Sequence, residues 1–163
     1  MLVSFENLPA TARLWTFAAA RPLADAESAQ LGPAVERFLN EWTAHKVPLA
    51  TAWEWRLNRF LFVAVDESMA GASGCSIDAL VRFMRQLEQQ LGVTFTDNGP
   101  VLYRGAAGDV QRVTRPEFMA LAEKGAVTPD TTVFDTTLTT VGALREGRWE
   151  VPARQSWHAR AFF

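Results

Sequence analysis

Apolar residues in the first part of the chain follow two different spacings, which predict an alternation of strands and helices. A first helix is expected with Asp25 as its N-cap, because the residues after it place an apolar stripe along one helical face, formed by Leu31, Val35, Phe38, Leu39 and Trp42. Gly32 and Pro33 interrupt this helix. It either restarts at Pro33 or is kinked there, and a restart is the preferred interpretation because proline suits a first helical turn.

Shorter apolar runs predict the strands around this helix. Arg13–Leu23 and Thr51–Leu57 have the alternation of half-buried strands. Phe60–Val65 is apolar on both faces, which is typical of a strand in the middle of a sheet. A second helix is expected to follow, with an apolar face from Ile77 to Leu91 and with Gly92 as its left-handed end.

The C-terminal third predicts a hairpin, a short helix and further strands. Pro100–Tyr103 and Asp109–Val113 flank a glycine-rich turn and are expected to pair. Thr114–Glu117 has the residues of a capping box, which would start the helix. Thr131–Thr140 is rich in β-branched residues and predicts one or two strands. The tail after Trp149 is unusually aromatic for a terminus, so we expect it to be packed against the protein.

This order of elements predicts an α+β fold. The sequence β-α-β-β-α-β over residues 13–113 is that of a ferredoxin-like, split β-α-β, antiparallel sheet with helices on one face. Residues 1–113 are therefore expected to form an α+β sandwich core. Residues 114–163 are expected to form a small C-terminal α/β appendage with a docked aromatic tail, either separately or as part of one continuous domain.

Composition narrows the class of protein. A chain of 163 residues, with 48% hydrophobic and 21% charged residues, is typical of a globular protein that needs no disulfide. The net charge of -2 and the lack of a basic block argue against nucleic acid or an anionic membrane as partner. Cys75 is the single cysteine, and the apolar stretch Leu14–Ala20 is too short to cross a bilayer. We therefore expect a soluble cytoplasmic protein.

The segment that joins the central strand to the second helix is the strongest candidate for a ligand site. Two glycines in it allow close approach of the backbone, and three small polar residues fall at or within the first turn of the helix. Unpaired amides and the helix dipole favour a negative charge at that end. The sequence therefore predicts that a small anionic ligand is bound by Gly71, Ser73, Gly74, Cys75 and Ser76.

Two other interpretations of the same segment stay open. In one, a serine caps the helix and Cys75 is a small buried residue. In the other, the helix start favours the thiolate of Cys75, with His45 or His158 as base and Asp66 or Glu67 as an orienting carboxylate. That arrangement predicts a cysteine-dependent enzyme or a redox-sensitive protein. The exposure of Cys75 and its proximity to a histidine separate the interpretations.

No metal or cofactor is implied by the sequence. Two histidines and one cysteine without close spacing fall short of the four ligands of a zinc site. His45 is expected to complement the end of the first helix, and His158 is expected to pack within the tail. No glycine is followed by lysine and then serine or threonine, which excludes a P-loop ATPase.

Six tryptophans suggest a stacking or peptide-binding surface, although core packing explains most of them. Trp42 lies on the apolar stripe of the first helix, and Trp53 and Trp55 share one face of a strand. Trp149 and Trp157 are the better candidates for the surface that meets a protein partner. Formation of a homo-oligomer through the tryptophans is a further alternative.

Three blocks of residues resemble a bacterial family of unassigned function, which is associated with Bacteroidetes-like genomes and whose members often carry the label "ABC transporter ATPase". The blocks are Trp42–His45, Val65–Glu67 with Ser73–Asp78, and Val151–Pro152 with Ser156–His158. That label implies a nucleotide-binding site, for which this chain lacks the residues.

A second resemblance is local and covers residues 110–135. Thr114, Glu117, Phe118 and Leu121, followed by Gly125, Val127, Asp130, Thr131 and Val133, resemble the helix–strand segment of bacterial GYF-type domains. The resemblance implies an adaptor that binds proline-rich peptides, but the aromatic motif that such domains carry upstream is not evident here. The sequence as a whole favours a non-catalytic cytoplasmic binding or interaction module over a cysteine-dependent enzyme.

Overall fold

The chain is described over Met1–Phe163 by a computed structural model, in which it divides into two units. The first unit holds residues 1–96 together with 139–142, and the second holds 97–138 and 143–163. The sequence placed the boundary at 113/114. The difference arises because the hairpin at 101–113 pairs with later strands of the chain and therefore belongs to the second unit.

The first unit is built around one antiparallel sheet. Its elements in chain order are β1 (Arg13–Ala18), α1 (Asp25–Glu41), β2 (Thr43–Ala44), β3 (Val47–Pro48), β4 (Ala50–Arg56), β5 (Phe60–Asp66) and α2 (Gly74–Leu91). The order of strands in the sheet is β1-β5-β4, and the short strands β2 and β3 form a separate hairpin. The central position of β5 confirms the prediction from its continuous apolar run, since both of its faces are buried.

Both long helices share one cluster of buried side chains with one face of this sheet. Leu61, Val63 and Val65 of β5 lie on that face, because alternate residues of a strand point the same way. The helices contribute their apolar stripes, formed by Leu31, Val35 and Leu39 of α1 and by Leu80, Met84, Leu87 and Leu91 of α2. The predicted placement of the helices on one face is thus the observed one.

Helix α1 is continuous through Pro33, and the predicted restart at this residue is wrong. A proline inside a helix leaves the carbonyl four residues earlier without its usual donor and costs roughly 3 kcal/mol. The buried side chains of Leu31 and Val35 lie on either side of Pro33, and Leu39 follows one turn later. Their burial holds the helix together across the interruption. The predicted N-cap at Asp25 is wrong by one residue, since Asp25 begins the helix and Ala24 is the N-cap. Glu27 stabilises this start by accepting the backbone N–H of Ala24 at 2.9 Å.

Helix α2 is the element that the sequence predicted best. Ser73 caps its start, and Gly92 ends it in the left-handed conformation with φ of +67°. This conformation is strained for a residue with a Cβ atom, which explains the glycine.

The second unit contains a four-stranded sheet of order β7-β6-β8-β9. Its elements are β6 (Val101–Arg104), β7 (Val110–Val113), α3 (Arg115–Glu123), β8 (Thr132–Phe134), α4 (Val141–Arg145), β9 (Glu150–Pro152) and α5 (His158–Phe162), with the first two residues of α4 assigned to the first unit. The predicted hairpin and the capping box of Thr114 and Glu117 are both present. The predicted strand over Thr131–Thr140 is limited to β8.

The aromatic tail is packed as the sequence predicted. Phe118 of α3 is fully buried and contacts Phe162 of α5, with ring centroids 4.8 Å apart. Val101, Val127, Val133 and Ala153 complete this core. None of the helices combines the length and the apolar character that a membrane-spanning segment needs.

The chain is thus a mixed α+β protein with antiparallel sheets. The fourth strand that the ferredoxin-like prediction placed in the first sheet is β6, and it pairs with β7 and β8 in the second unit. Beside β1 lies a short return of the chain, in which Thr140 forms an isolated antiparallel bridge with Arg13.

Candidate functional site

A groove of about 480 Å³ lies where three elements of the first unit meet. These are the end of α1, the β2–β3 hairpin and the start of α2. The residues that line the groove are Phe38, Glu41, Trp42, Thr43, His45, Ser73, Cys75, Ser76 and Ala79. Its volume falls within the range of small-molecule sites, and its lining combines aromatic and polar groups as such sites do.

Trp42 and Ser76 hold the walls of the groove together. The indole Nε1 of Trp42 donates a 2.8 Å hydrogen bond to the carbonyl oxygen of Ser76. The Ser76 hydroxyl in turn donates to the carbonyl oxygen of Thr43, also at 2.8 Å. Because Ser76 is only 2% exposed, both bonds are shielded from water and fix the three elements relative to one another.

The two serines form a reciprocal cap at the start of α2. The backbone N–H of Ser76 donates to Ser73 Oγ, and the backbone N–H of Ser73 donates to Ser76 Oγ, both at 3.2 Å. The hydroxyl groups of these two predicted ligand residues are therefore engaged in the local structure.

Two backbone donors of this turn remain for a ligand. The N–H groups of Gly74 and Cys75 have no acceptor within the chain, because the cap satisfies only the later residue Ser76. No acidic side chain occupies the first turn of α2, so the positive end of the helix dipole is not neutralised there. Both residues are exposed.

Acidic residues order the loop that leads into the helix. Glu67 Oε2 accepts a 3.0 Å hydrogen bond from the N–H of Ala72, and it lies 2.8 Å from the position that a Cβ atom at Gly71 would occupy. A side chain at Gly71 would therefore displace this carboxylate. Asp66 Oδ1 accepts the N–H of Ser68 at 3.0 Å. These carboxylates organise the loop and are absent from the lining of the groove.

The structure brings Cys75 and His45 to the same groove. The Cys75 thiol is free and exposed, and His45 is exposed at the tip of the β2–β3 hairpin, where its φ is +50°. The two side chains do not form a hydrogen bond with each other in this structure. The interpretations of Cys75 differ in whether its thiol is exposed and whether a histidine lies near it. The thiol is exposed, and His45 is the histidine that lines the same groove.

His158 belongs to the second unit, where it is almost fully buried. Its Nδ1 lies 2.6 Å from Ser156 Oγ, and its ring stacks on Trp157 with centroids 3.9 Å apart. Burial lowers the pKa of His158 to about 4. The negative charge of Asp135 opposes this shift and the positive charge of Arg115 adds to it. The imidazole is therefore neutral at pH 7.

The two tryptophans predicted to meet a partner have different surroundings. Trp149 is 6% exposed and packs against Phe134, with ring centroids 5.1 Å apart, so its indole offers little surface to another protein. Trp157 is half-buried, so part of its indole stays accessible. The physical reason is the position of Trp149 directly before β9, which places its ring inside the second unit.

The sequence did not indicate Phe38, Glu41, Thr43 and Ala79 as site residues, although they line the groove. The sequence could show only that the end of α1 and the β2–β3 hairpin are close neighbours in the chain. Their hydrogen bonds with Ser76 of α2 join residues more than thirty positions apart, which no local pattern indicates. Among the side chains of His, Cys, Asp and Glu, no group of three or more is arranged to hold a metal ion.

No protein-family model, no curated protein and no solved structure matches this chain. The resemblances drawn from the sequence therefore stay predictions.

Proposed function

We propose that the protein is a non-catalytic cytoplasmic binding module whose groove at the start of α2 takes a small anionic ligand with an apolar part. The observation that carries this proposal is the pair of exposed backbone N–H groups at Gly74 and Cys75, which have no acceptor in the chain. Together with the end of the helix dipole they form an electropositive point of the kind that binds anions.

The walls of the groove support an apolar part in the ligand. The half-buried Phe38 provides aromatic surface, which Ala79 continues along α2. Trp42 is 3% exposed and packs behind Phe38, with ring centroids 5.5 Å apart. An aromatic ring that displaces water from such a surface gains free energy in proportion to the area it covers. An anion attached to a ring would place its charge at the start of α2, where Cys75 lines the groove, and its ring on the apolar surface, with Glu41 as the one acidic residue of the lining.

Phenyl phosphate is the probe that tests this proposal, with inorganic phosphate and phenol as its two parts. We expect the amide resonances of Gly74 and Cys75 in a ¹H–¹⁵N NMR spectrum to shift with saturation as phenyl phosphate is added. Phenol and inorganic phosphate should each bind more weakly, because each has only half of the contacts.

Ser73→Asp is the decisive variant. Aspartate is as good an N-cap as serine, so the helix keeps its cap, but the new carboxylate neutralises the electropositive end. We expect about tenfold weaker binding of phenyl phosphate, and the conservative control Ser73→Asn should bind as the unchanged protein does. Equal affinity in Ser73→Asp, or no response of the two amides, would overturn the proposal.

A second candidate function is thiol chemistry at Cys75, and the observation that favours it is the exposure of both Cys75 and His45 in one groove. In this reaction the His45 imidazole takes the proton of the Cys75 thiol. The sulfur electron pair then forms a bond to a carbonyl carbon, and the C=O electron pair moves onto the oxygen. The resulting oxyanion would face the N–H groups of Gly74 and Cys75.

Alkylation by iodoacetamide distinguishes this candidate from simple binding. If His45 is the base, the rate of Cys75 alkylation at pH 7 should fall about tenfold in His45→Ala. His158→Ala provides the matched control, because His158 belongs to the other unit and lines no part of the groove. An equal rate in His45→Ala would exclude the histidine from the chemistry.

We also propose that the first unit is a ferredoxin-like arrangement without its fourth strand. Its support is the strand order β1-β5-β4 with α1 after the first strand and α2 after the third, which is the order of the first five elements of a split β-α-β fold.

A further inference from the structure

The second unit contains a cavity of about 240 Å³, partly open to solvent, that the groove and its chemistry do not involve. One wall is polar and is formed by Arg115 and His158, with Trp157 in contact with both. The apolar part of the lining includes Pro100, Leu102 and Phe134, and one asparagine and two threonines complete the lining. At about 30 Å³ for each water molecule in the liquid, the cavity has room for a molecule of roughly eight non-hydrogen atoms.

His158 presents an unused hydrogen-bond donor at this cavity. The hydroxyl of Ser156 has a single proton, and the carbonyl of Ala153 already accepts the N–H of Ser156. The hydroxyl lies 2.6 Å from His158 Nδ1 and 3.2 Å from the Ala153 carbonyl oxygen, and we assign its proton to the shorter of these two contacts. The neutral ring then carries its own proton on Nε2, which has no partner in the chain.

Arg115 provides a positive charge that forms no ion pair within the chain, although the buried carboxylate of Asp135 also acts on His158. Its Nε donates to the carbonyl oxygen of Gly99 at 3.2 Å, and its Cζ lies 5.0 Å from the centre of the Trp157 ring. The Nη groups form no hydrogen bond or ion pair within the chain. The nearby carboxylate of Asp135 is occupied differently, because its Oδ1 accepts both the N–H and the hydroxyl of Thr137.

We infer that this cavity binds a small monocarboxylic acid with a flat apolar body. The carboxylate would accept hydrogen bonds from the Nη groups of Arg115 and from Nε2 of His158. The body of the acid would lie against Pro100, Leu102 and Phe134. These donors have no acceptor within the chain, and the carboxylate of the ligand would supply one.

The choice of a carboxylate over a phosphate follows from the charges on the cavity wall. The planar guanidinium of an arginine matches the two oxygens of a carboxylate, and one such cation balances one negative charge. A phosphate dianion would need a second cation, but the imidazole of His158 is neutral at pH 7 because burial lowers its pKa to about 4. The size of the cavity restricts the body to one ring.

Benzoate is the probe that tests this inference, with benzamide as an uncharged molecule of the same shape. The readout is the NMR signals of the His158 ring and of the Trp157 indole N–H in the full chain. We expect both signals to shift with saturation, with a dissociation constant of about 1 mM or lower. Benzamide should bind at least about tenfold more weakly, because it offers the guanidinium no charge.

Arg115→Gln is the variant of choice, because Arg115 is exposed and its loss leaves the buried core intact. It should weaken benzoate binding about tenfold or more. Arg112→Gln is the matched control, since Arg112 pairs with Asp97 and lines no part of the cavity, and it should leave the affinity unchanged. Equal binding of benzamide, or equal affinity in Arg115→Gln, would overturn the inference. So would shifts confined to the amides of Gly74 and Cys75, which would assign benzoate to the groove.

Discussion

The indole of Trp42, the residue that ends α1, donates a buried 2.8 Å hydrogen bond to the carbonyl oxygen of Ser76 in the first turn of α2. This bond joins two helices whose sequences are separated by the whole of β2 to β5. It also sets the position of the aromatic wall of the groove relative to the free N–H groups of Gly74 and Cys75.

Trp42→Phe should therefore destabilise the protein. The phenyl ring retains part of the packing but has no donor for Ser76, and the smaller ring leaves a void, so we expect a loss of about 2–3 kcal/mol in the free energy of unfolding. Urea unfolding followed by circular dichroism measures it. Trp53→Phe is the matched control. The Nε1 of Trp53 makes an exposed 3.4 Å bond to Glu36, and the loss should be about 1 kcal/mol or less.

Stability should depend on pH through His158. Burial lowers the pKa of its folded-state imidazole to about 4 from the ordinary value of 6.5. Between these values the unfolded chain binds the proton and the folded protein does not. The contribution of His158 is thus complete above pH 6.5 and is lost as the pH falls towards 4, by about 3 kcal/mol in total.

The measurement is urea unfolding from pH 7 to pH 4 in His158→Gln and in the unchanged protein. The variant should have a flatter dependence over this range, while other groups titrate alike in both proteins. Parallel curves for His158→Gln would contradict the pKa assigned to this residue.

The two final phenylalanines should differ sharply in their effect on stability. Phe162 is 8% exposed and packs on Phe118, whereas Phe163 is 45% exposed. Phe162→Ala removes a buried ring and should cost about 3 kcal/mol, and Phe163→Ala should cost about 1 kcal/mol or less. Thermal unfolding of the two variants checks the difference. If both changes were neutral, the tail would not be docked in solution.

Pro33→Ala should stabilise the protein. Pro33 lies inside the continuous helix α1, where alanine is favoured over proline by about 3 kcal/mol. Proline also restricts the unfolded chain, and losing this restriction takes back up to about 1 kcal/mol of the gain. We expect a net gain of about 1–2 kcal/mol, measured as a higher urea midpoint with an unchanged slope. A lower midpoint would indicate that the surrounding turn is built around the proline ring.

Much of the fold could be predicted from local sequence patterns. The stripe of α2 with Gly92 at its end, the two-sided apolar run of β5 and the capping box at Thr114 are signals contained in a few neighbouring residues. Pro33 was misjudged because a local rule disfavours it. The burial of Leu31 and Val35 keeps the helix continuous despite the proline, and this burial depends on tertiary packing that a local pattern does not show.

The site was less accessible to sequence analysis, because it is made of distant segments. The loop around Cys75 could be identified by its glycines and serines. The position of this loop beside the end of α1 and the hairpin depends on the hydrogen bonds that Ser76 forms with Trp42 and Thr43, which no local sequence pattern encodes. The fourth predicted strand, β6, was likewise identified correctly as a strand, but its neighbour in the sheet was not. Any free strand edge can form hydrogen bonds with the backbone of β6, so the local sequence does not determine which strand it pairs with.

The return of residues 139–142 to the first unit has a consequence for synthesis on the ribosome. Leu14 donates its backbone N–H to Thr139, and Val141 donates to Ala12, so the first residues of β1 and the residue before it have these main-chain partners only when residues 139–142 are present. The first unit therefore cannot be completed cotranslationally before most of the second has emerged. A nascent chain that stops at residue 96 should expose one edge of β1, and a chaperone that recognises unpaired strands would find it there.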